Sequence, residues 1–179
     1  MEPISTLLVL LLVGGGIWFF LKKGKGTLAT GPSVVSVLRQ LGNEYKIIEN
    51  ATVPTPDGII QIDYLVVSPY GLFVINERND SGRVRVQAGQ REWEVRGMGG
   101  GTLIYNPLWR NRQAINHIEN KLGDLPIASL VVFPNAKLEG IPDGEVVTGK
   151  QLLPAIRKAR HEVLSAEQQE SVLTWFGGR

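Results

Sequence analysis

The sequence predicts an α/β domain, a mixed central sheet flanked by helices, preceded by a single N-terminal transmembrane helix. Three observations carry the prediction. A run of β-formers, Ile59 to Val67, is followed by the turn residues Ser68-Pro69-Tyr70-Gly71 and a second strand-like run, Leu72 to Arg78. Ile127 to Phe133 is nearly continuous in apolar residues with a proline at each border, the pattern of a strand buried on both faces. Between such segments, apolar residues recur at helical spacing, and helices interleaved with strands cover a sheet. No internal repeat is present.

The first element is the apolar stretch Ile4 to Leu21, eighteen residues without a charge. About that length is the lower range for a helix that spans a bilayer. Trp18, Phe19 and Phe20 close it, Lys22, Lys23 and Lys25 follow, and only Glu2 precedes. Interfacial aromatics and trailing lysines predict a single-pass membrane anchor whose C-terminal domain is cytoplasmic. A cleaved signal peptide would begin with a basic region, which this chain lacks. The sequence therefore divides into an anchor (1–23), a Lys/Gly/Thr-rich linker (24–30) and a folded domain (31–179).

A helix is expected from Pro32-Ser33, since proline suits a first turn. Val34, Val35, Val37, Leu38 and Leu41 form its apolar stripe, and Gly42-Asn43 end it. Tyr45 to Glu49 reads as a strand and Thr55-Pro56-Asp57-Gly58 as a turn. Arg83 to Gln87 and Arg91 to Arg96 alternate charged and apolar residues, as half-exposed antiparallel strands do. Gly97-Met98-Gly99-Gly100-Gly101 reads as a mobile loop; its spacing fits no P-loop. A helix follows Asn106-Pro107 to about Leu122. Val146 to Thr148 is a short strand, Leu152 to Ala159 a helix, and Ala166 to Phe176 a last helix capped by Ser165.

Composition narrows the chemistry. A formal net charge of +2 is no nucleic-acid footprint by itself, although the pI is near 9.0. The absence of cysteine excludes disulfides and thiolate metal sites. His117 and His161 lie apart, without companions at metal-ligand spacing.

The polar residues of the hairpin are the candidate site. With period-two alternation, Gln61 and Asp63 share one face of the first strand, and Asn76 and Arg78 one face of the second. Alternation turns Glu77 to the other face unless a bulge intervenes. Gln61-x-Asp63, Ser68-Pro69-x-Gly71-x-Phe73-x-Ile75, the triplet ending Arg78-Asn79, and Asn106-Pro107-Leu108 with Asn111 together resemble the nuclease-related domain (NERD) family. The match spans roughly Gly31 to Phe133.

That resemblance implies a fold similar to PD-(D/E)xK restriction endonucleases and a Mg²⁺-dependent phosphodiester-cleaving site. It assigns the family's aspartate to Asp63, its glutamate position to Asn76, and its lysine position to Arg78. The family's first-helix acid would fall near Ser33, where no carboxylate occurs until Glu44. A phosphodiesterase holds Mg²⁺ through hard anionic oxygens. A neutral amide at 76 is a poor ligand, and an arginine at 78 cannot give up a proton. Asp63 is left as the lone metal candidate, with Arg78 placed to compete for its oxygens.

The expected function is a membrane-anchored nuclease-related domain that binds nucleic acid or phosphate, with impaired or absent catalysis and weak Mg²⁺ binding at best. Arg78, Arg83, Arg85, Arg91, Arg110 and Arg112 would supply phosphate contacts if they gather on one surface. Two alternatives stand beside it. One is an active Mg²⁺-dependent endonuclease with relocated carboxylates at Glu44, Glu49 or Glu77. The other is a non-catalytic, membrane-tethered protein-interaction module.

Overall fold

A computed structural model describes residues 32–97, 99–140 and 144–177. The apolar stretch 4–21 and the linker lie outside the described residues. Among those described, no helix is long and apolar enough to cross a membrane.

The main sheet grows from two tight hairpins. β1 (Lys46–Thr55), β2 (Gly58–Ser68) and β3 (Gly71–Glu77) run antiparallel, with Thr55 opposite Gly58 and Ser68 opposite Gly71. Gly71 holds φ 130°, and an added Cβ would sit 3.0 Å from the Pro126 carbonyl. Glycine is required there both by dihedral and by space. β7 (Ile127–Phe133) then lies parallel beside β3, and β9 (Val146–Thr148) parallel beside β7. The order β1-β2-β3-β7-β9 makes the sheet mixed.

A second sheet, of which the sequence predicts only the antiparallel strands near 83–87 and 91–96, has the order β6-β5-β4-β8. It contains β4 (Gly82–Val86), β5 (Glu92–Gly97), β6 (Gly100–Tyr105) and β8 (Ala136–Gly140). The glycine run is therefore no mobile loop: Gly97 faces Gly100 across a hairpin, and β6 continues from it. Gly100 at φ 116° permits the reversal, the use to which hairpins put glycine. β8 carries Lys137 and Glu139 and looks unlike a strand in sequence. It forms because β4 offers an edge, to which it pairs in parallel.

Helices cover both faces of the main sheet. α1 (Val34–Leu38) starts at the N-cap Ser33, and α3 (Leu152–Arg157) lies on the same side. Val34, Leu38, Leu152 and Ile156 pack there on Val66, Phe73, Ile75 and Val132. α2 (Pro107–Leu122) and α4 (Ala166–Trp175) cover the other side, where Ala114, Ile118 and Val172 meet Leu65, Val67, Leu72 and Val74. A third cluster joins the sheets, with Trp93, Val84 and Leu108 on Val131 and Phe133. From Ser129 onward β7 is thus buried on both faces, as its nearly continuous apolar run predicts. Each such buried side chain contributes about 1.5–3 kcal/mol.

Asn111 fixes where α2 sits. Its buried amide donates to the carbonyls of Val74 at 3.2 Å and Leu130 at 3.1 Å, and to Ser129 Oγ at 3.1 Å. Asn106 caps the same helix, accepting from the Leu108 N–H at 3.0 Å while its own amide donates to Ala88 and Gln90. These bonds hold the start of α2 between the two sheets, next to the end of β3.

Candidate functional site

Asp63 sits where the β1–β2 pairing loses its period. The ladder pairs Glu49 with Tyr64 and Ala51 with Ile62, leaving Asn50 and Asp63 between them outside it. Asn50 has φ 54°, a left-handed conformation that asparagine tolerates. Core-facing positions then step from Ile48 to Ala51 and from Ile62 to Leu65, three residues rather than two. The irregularity has the consequence of a bulge: side chains beyond it no longer point where strict alternation sends them.

Asp63 consequently lines a cavity of about 150 Å³ with Glu49, Asn50, Tyr64, Glu77 and Asn79. Its Oδ2 accepts the Glu77 backbone N–H at 2.7 Å, replacing a ladder bond at the end of β3. Glu77 Oε2 accepts the Tyr64 hydroxyl at 2.9 Å. Glu49 Oε1 lies 3.2 Å from the Arg39 guanidinium at the end of α1. Burial, the hydrogen bond to Glu77 and the charges of Glu77, Glu49 and Asp63 hold the Tyr64 phenol well above its ordinary value near 10. Glu77, expected to face away from Asp63, is its neighbour.

Asn76 and Arg78 open instead on a cavity of about 620 Å³ beside the start of α2, together with Ile60, Tyr105, Trp109 and Arg110. Arg78 does not pair with Asp63: both its Nε and Nη2 lie 2.9 Å from Asp80 Oδ2. Arg110 Nη2 donates to the Gln61 carbonyl at 3.1 Å. The Gln61 side chain bonds the Asn50 amide at 3.1 Å and lines neither cavity. The structure therefore divides the four expected site residues. Asp63 lies in one cavity, Asn76 and Arg78 in another, and Gln61 bridges strands outside both.

The six arginines divide as well. Arg83, Arg85 and Arg112 stand 3.6–3.8 Å from Glu139, Glu94 and Glu145 in exposed ion pairs, which contribute little to stability. Arg78 and Arg110 line the larger cavity, and Arg91 Nε donates to Tyr105 Oη at 2.7 Å on its rim. Tyr105 and Trp109 escaped the sequence reading. The signal available was their spacing: Trp109 falls outside the α2 stripe of Leu108, Ile115, Ile118 and Leu122, four residues after Tyr105 at the end of β6.

The residues present do not fit the Mg²⁺ that the resemblance implies. Mg²⁺ demands near-octahedral oxygens, some from carboxylates. Asp63, Glu77 and Glu49 are each engaged by a separate donor. Among the described residues, no three His, Asp or Glu side chains converge as a metal-holding group. Asn76, at the position of the family's glutamate, lines the other cavity.

Comparison with curated proteins and with solved structures gave no match. Residues 32–134 match the nuclease-related domain family. That span takes in α1, the β1–β2–β3 hairpins, both cavities, α2 and β7, so the chain belongs to the nuclease-related domain (NERD) family.

Proposed function

We propose that this chain is a membrane-anchored nuclease-related domain that binds the phosphate backbone of nucleic acid and cleaves it weakly or not at all. On this reading the mixed sheet is a restriction-endonuclease-like scaffold. The apolar stretch 4–21, followed by lysines, tethers the domain to the cytoplasmic side of a membrane. The observation that carries the binding reading is the pair Arg78 and Arg110, on different elements, lining one cavity of about 620 Å³. Guanidinium groups are the side chains best suited to phosphate. On this reading cleavage is lost because Asp63, Glu77 and Glu49 are each engaged by a protein donor and stand in a different cavity from Arg78 and Arg110, which leaves a Mg²⁺ ion without a ligand set beside the phosphate.

A second reading has its own support. Glu77 and Glu49 share a cavity with Asp63, so relocated carboxylates would be those two rather than Glu44. Fluorescence anisotropy of labelled oligonucleotides with the full chain in detergent, in EDTA and in Mg²⁺, separates the readings. The proposal expects salt-sensitive binding in both buffers, with the strand recovered uncut. Mg²⁺-dependent cleavage abolished by Glu77→Gln would establish the second reading. For the anchor, protease treatment of intact cells should leave the domain undigested; digestion from outside would reverse the topology.

A further inference from the structure

We infer that the cavity at the start of α2 takes unpaired nucleotides, stacking a base on Tyr105 and Trp109 while Arg78 and Arg110 hold the adjoining phosphates. The inference rests on the nucleic-acid reading above and specifies its substrate as single-stranded.

The aromatic pair is the first argument. Trp109 is 37% exposed and Tyr105 53% exposed, and neither belongs to any of the three apolar clusters. Their centroids lie 6.0 Å apart with the rings at 80°, so the two form one aromatic surface rather than separate exposed rings. Ile59, 71% exposed, borders the same cavity. Arg91 fixes the tyrosine: its Nε binds the hydroxyl at 2.7 Å, and its guanidinium carbon stands over the ring at 5.2 Å from the centroid. A ring held in place loses less conformational entropy when a base stacks on it.

Charge complementarity is the second argument. Arg110 follows Trp109 in the chain, and Arg78 reaches the same cavity from the end of β3. Arg110 uses one N–H on the Gln61 carbonyl, and a guanidinium carries several more donors. The helix start does not supply the anion site itself. Pro107 has no N–H, the Leu108 N–H is taken by Asn106 Oδ1 at 3.0 Å, and the Trp109 N–H by the Asn106 carbonyl at 3.3 Å. Phosphate attraction must come from the arginines.

Aromatic side chains interleaved with cations match a single strand, whose bases expose their faces and whose phosphates follow at each sugar. A duplex hides those faces, so it could use the arginines but not the rings. Stacking is tolerant of sequence, so ribose and deoxyribose strands are both tested.

The test uses the full chain in detergent with labelled dT and rU oligonucleotides, and a DNA strand of mixed sequence alone or annealed to its complement. Single strands should bind about tenfold tighter than duplex, and Trp109→Ala should lower single-strand affinity about tenfold, the effect of losing one stacked base. Trp109→Phe should restore most of it, which a merely structural loss would not allow. Arg110→Ala should weaken single strands and duplex together. Tight duplex binding that Trp109→Ala leaves unchanged, with single strands bound no better, would overturn the inference and keep the nucleic-acid reading. No binding of either form would overturn both.

Discussion

The cavity that holds Asp63 is small and acidic, about 150 Å³ with three carboxylates on its wall. The cavity that holds Asn76 and Arg78 is about 620 Å³, lined by arginine, amide and aromatic groups. Both open at the end of the same hairpin. The triplet Asn76-Glu77-Arg78 feeds them alternately, the outer two to the larger cavity and the middle one to the smaller, as a period of two requires. The irregularity at Asn50 and Asp63 sends the aspartate to the side of Glu77. A phosphodiesterase needs carboxylate and cation on one substrate; here they are apart. On the proposed reading, the acidic side acts in structure, closing the end of β3, and the basic side acts in recognition.

The strongest way to break this comparison is Asp63→Ala. The Glu77 N–H would lose the acceptor it has at 2.7 Å, and an unsatisfied partly buried amide costs about 1–3 kcal/mol. Thermal or urea unfolding should show that loss, with Asp63→Asn recovering much of it through its amide oxygen. Nucleic-acid affinity should stay within about twofold, since removing one carboxylate from a different cavity changes few phosphate contacts. If affinity collapses with Asp63→Ala in a protein still folded, the two cavities are one site.

Tyr64→Phe probes the acidic side alone and is smaller in effect. It removes the 2.9 Å bond to Glu77, worth about 1 kcal/mol. It also changes the pH dependence. Because the folded state raises the Tyr64 pKa, the contribution is fully present below the unfolded tyrosine value near 10. It is lost as pH rises beyond that, when the unfolded chain ionises first. Unfolding measured from pH 9 to 11 should fall less steeply in the Phe variant than in the parent; identical slopes would remove Tyr64 from the account.

Asp80→Asn sharpens the basic side and should have the smallest effect. Arg78 now spends two donors on Asp80 Oδ2 at 2.9 Å. Releasing it from this half-buried pair should tighten nucleic-acid binding by about two- to fivefold, one more guanidinium being freed for a phosphate. The slope of log affinity against log salt should steepen by about 0.7–0.9, one more phosphate neutralised. An unchanged slope would take Arg78 out of the binding surface.

Much of the main sheet could be read from the chain. The turn residues at 56–57 and 69–70, the nearly continuous apolar run 127–133, and the Asn106-Pro107 helix start each carry a local signal, and each element is present. The second sheet was half hidden because β8 forms by pairing with β4, a long-range event with little local propensity, and because five residues, four of them glycines, mask a hairpin as a loop. The site was less legible still. Residue types at 63, 76 and 78 were readable, but their partition was not. It depends on one asparagine in a left-handed conformation, which strict alternation ignores. Likewise Arg78 was expected on Asp63 and found Asp80, two residues away in the chain.

The most direct test of the division is a paired assay on one sample: retention and integrity of a labelled single strand with the full chain, in Mg²⁺, Mn²⁺ and EDTA. The account predicts that the strand is bound equally in all three, released by salt, weakened by Arg110→Ala and recovered uncut. Metal-dependent cleavage by the unmodified protein, abolished by Asp63→Ala while binding persists, would contradict it and show that Asp63 works in a complete catalytic site.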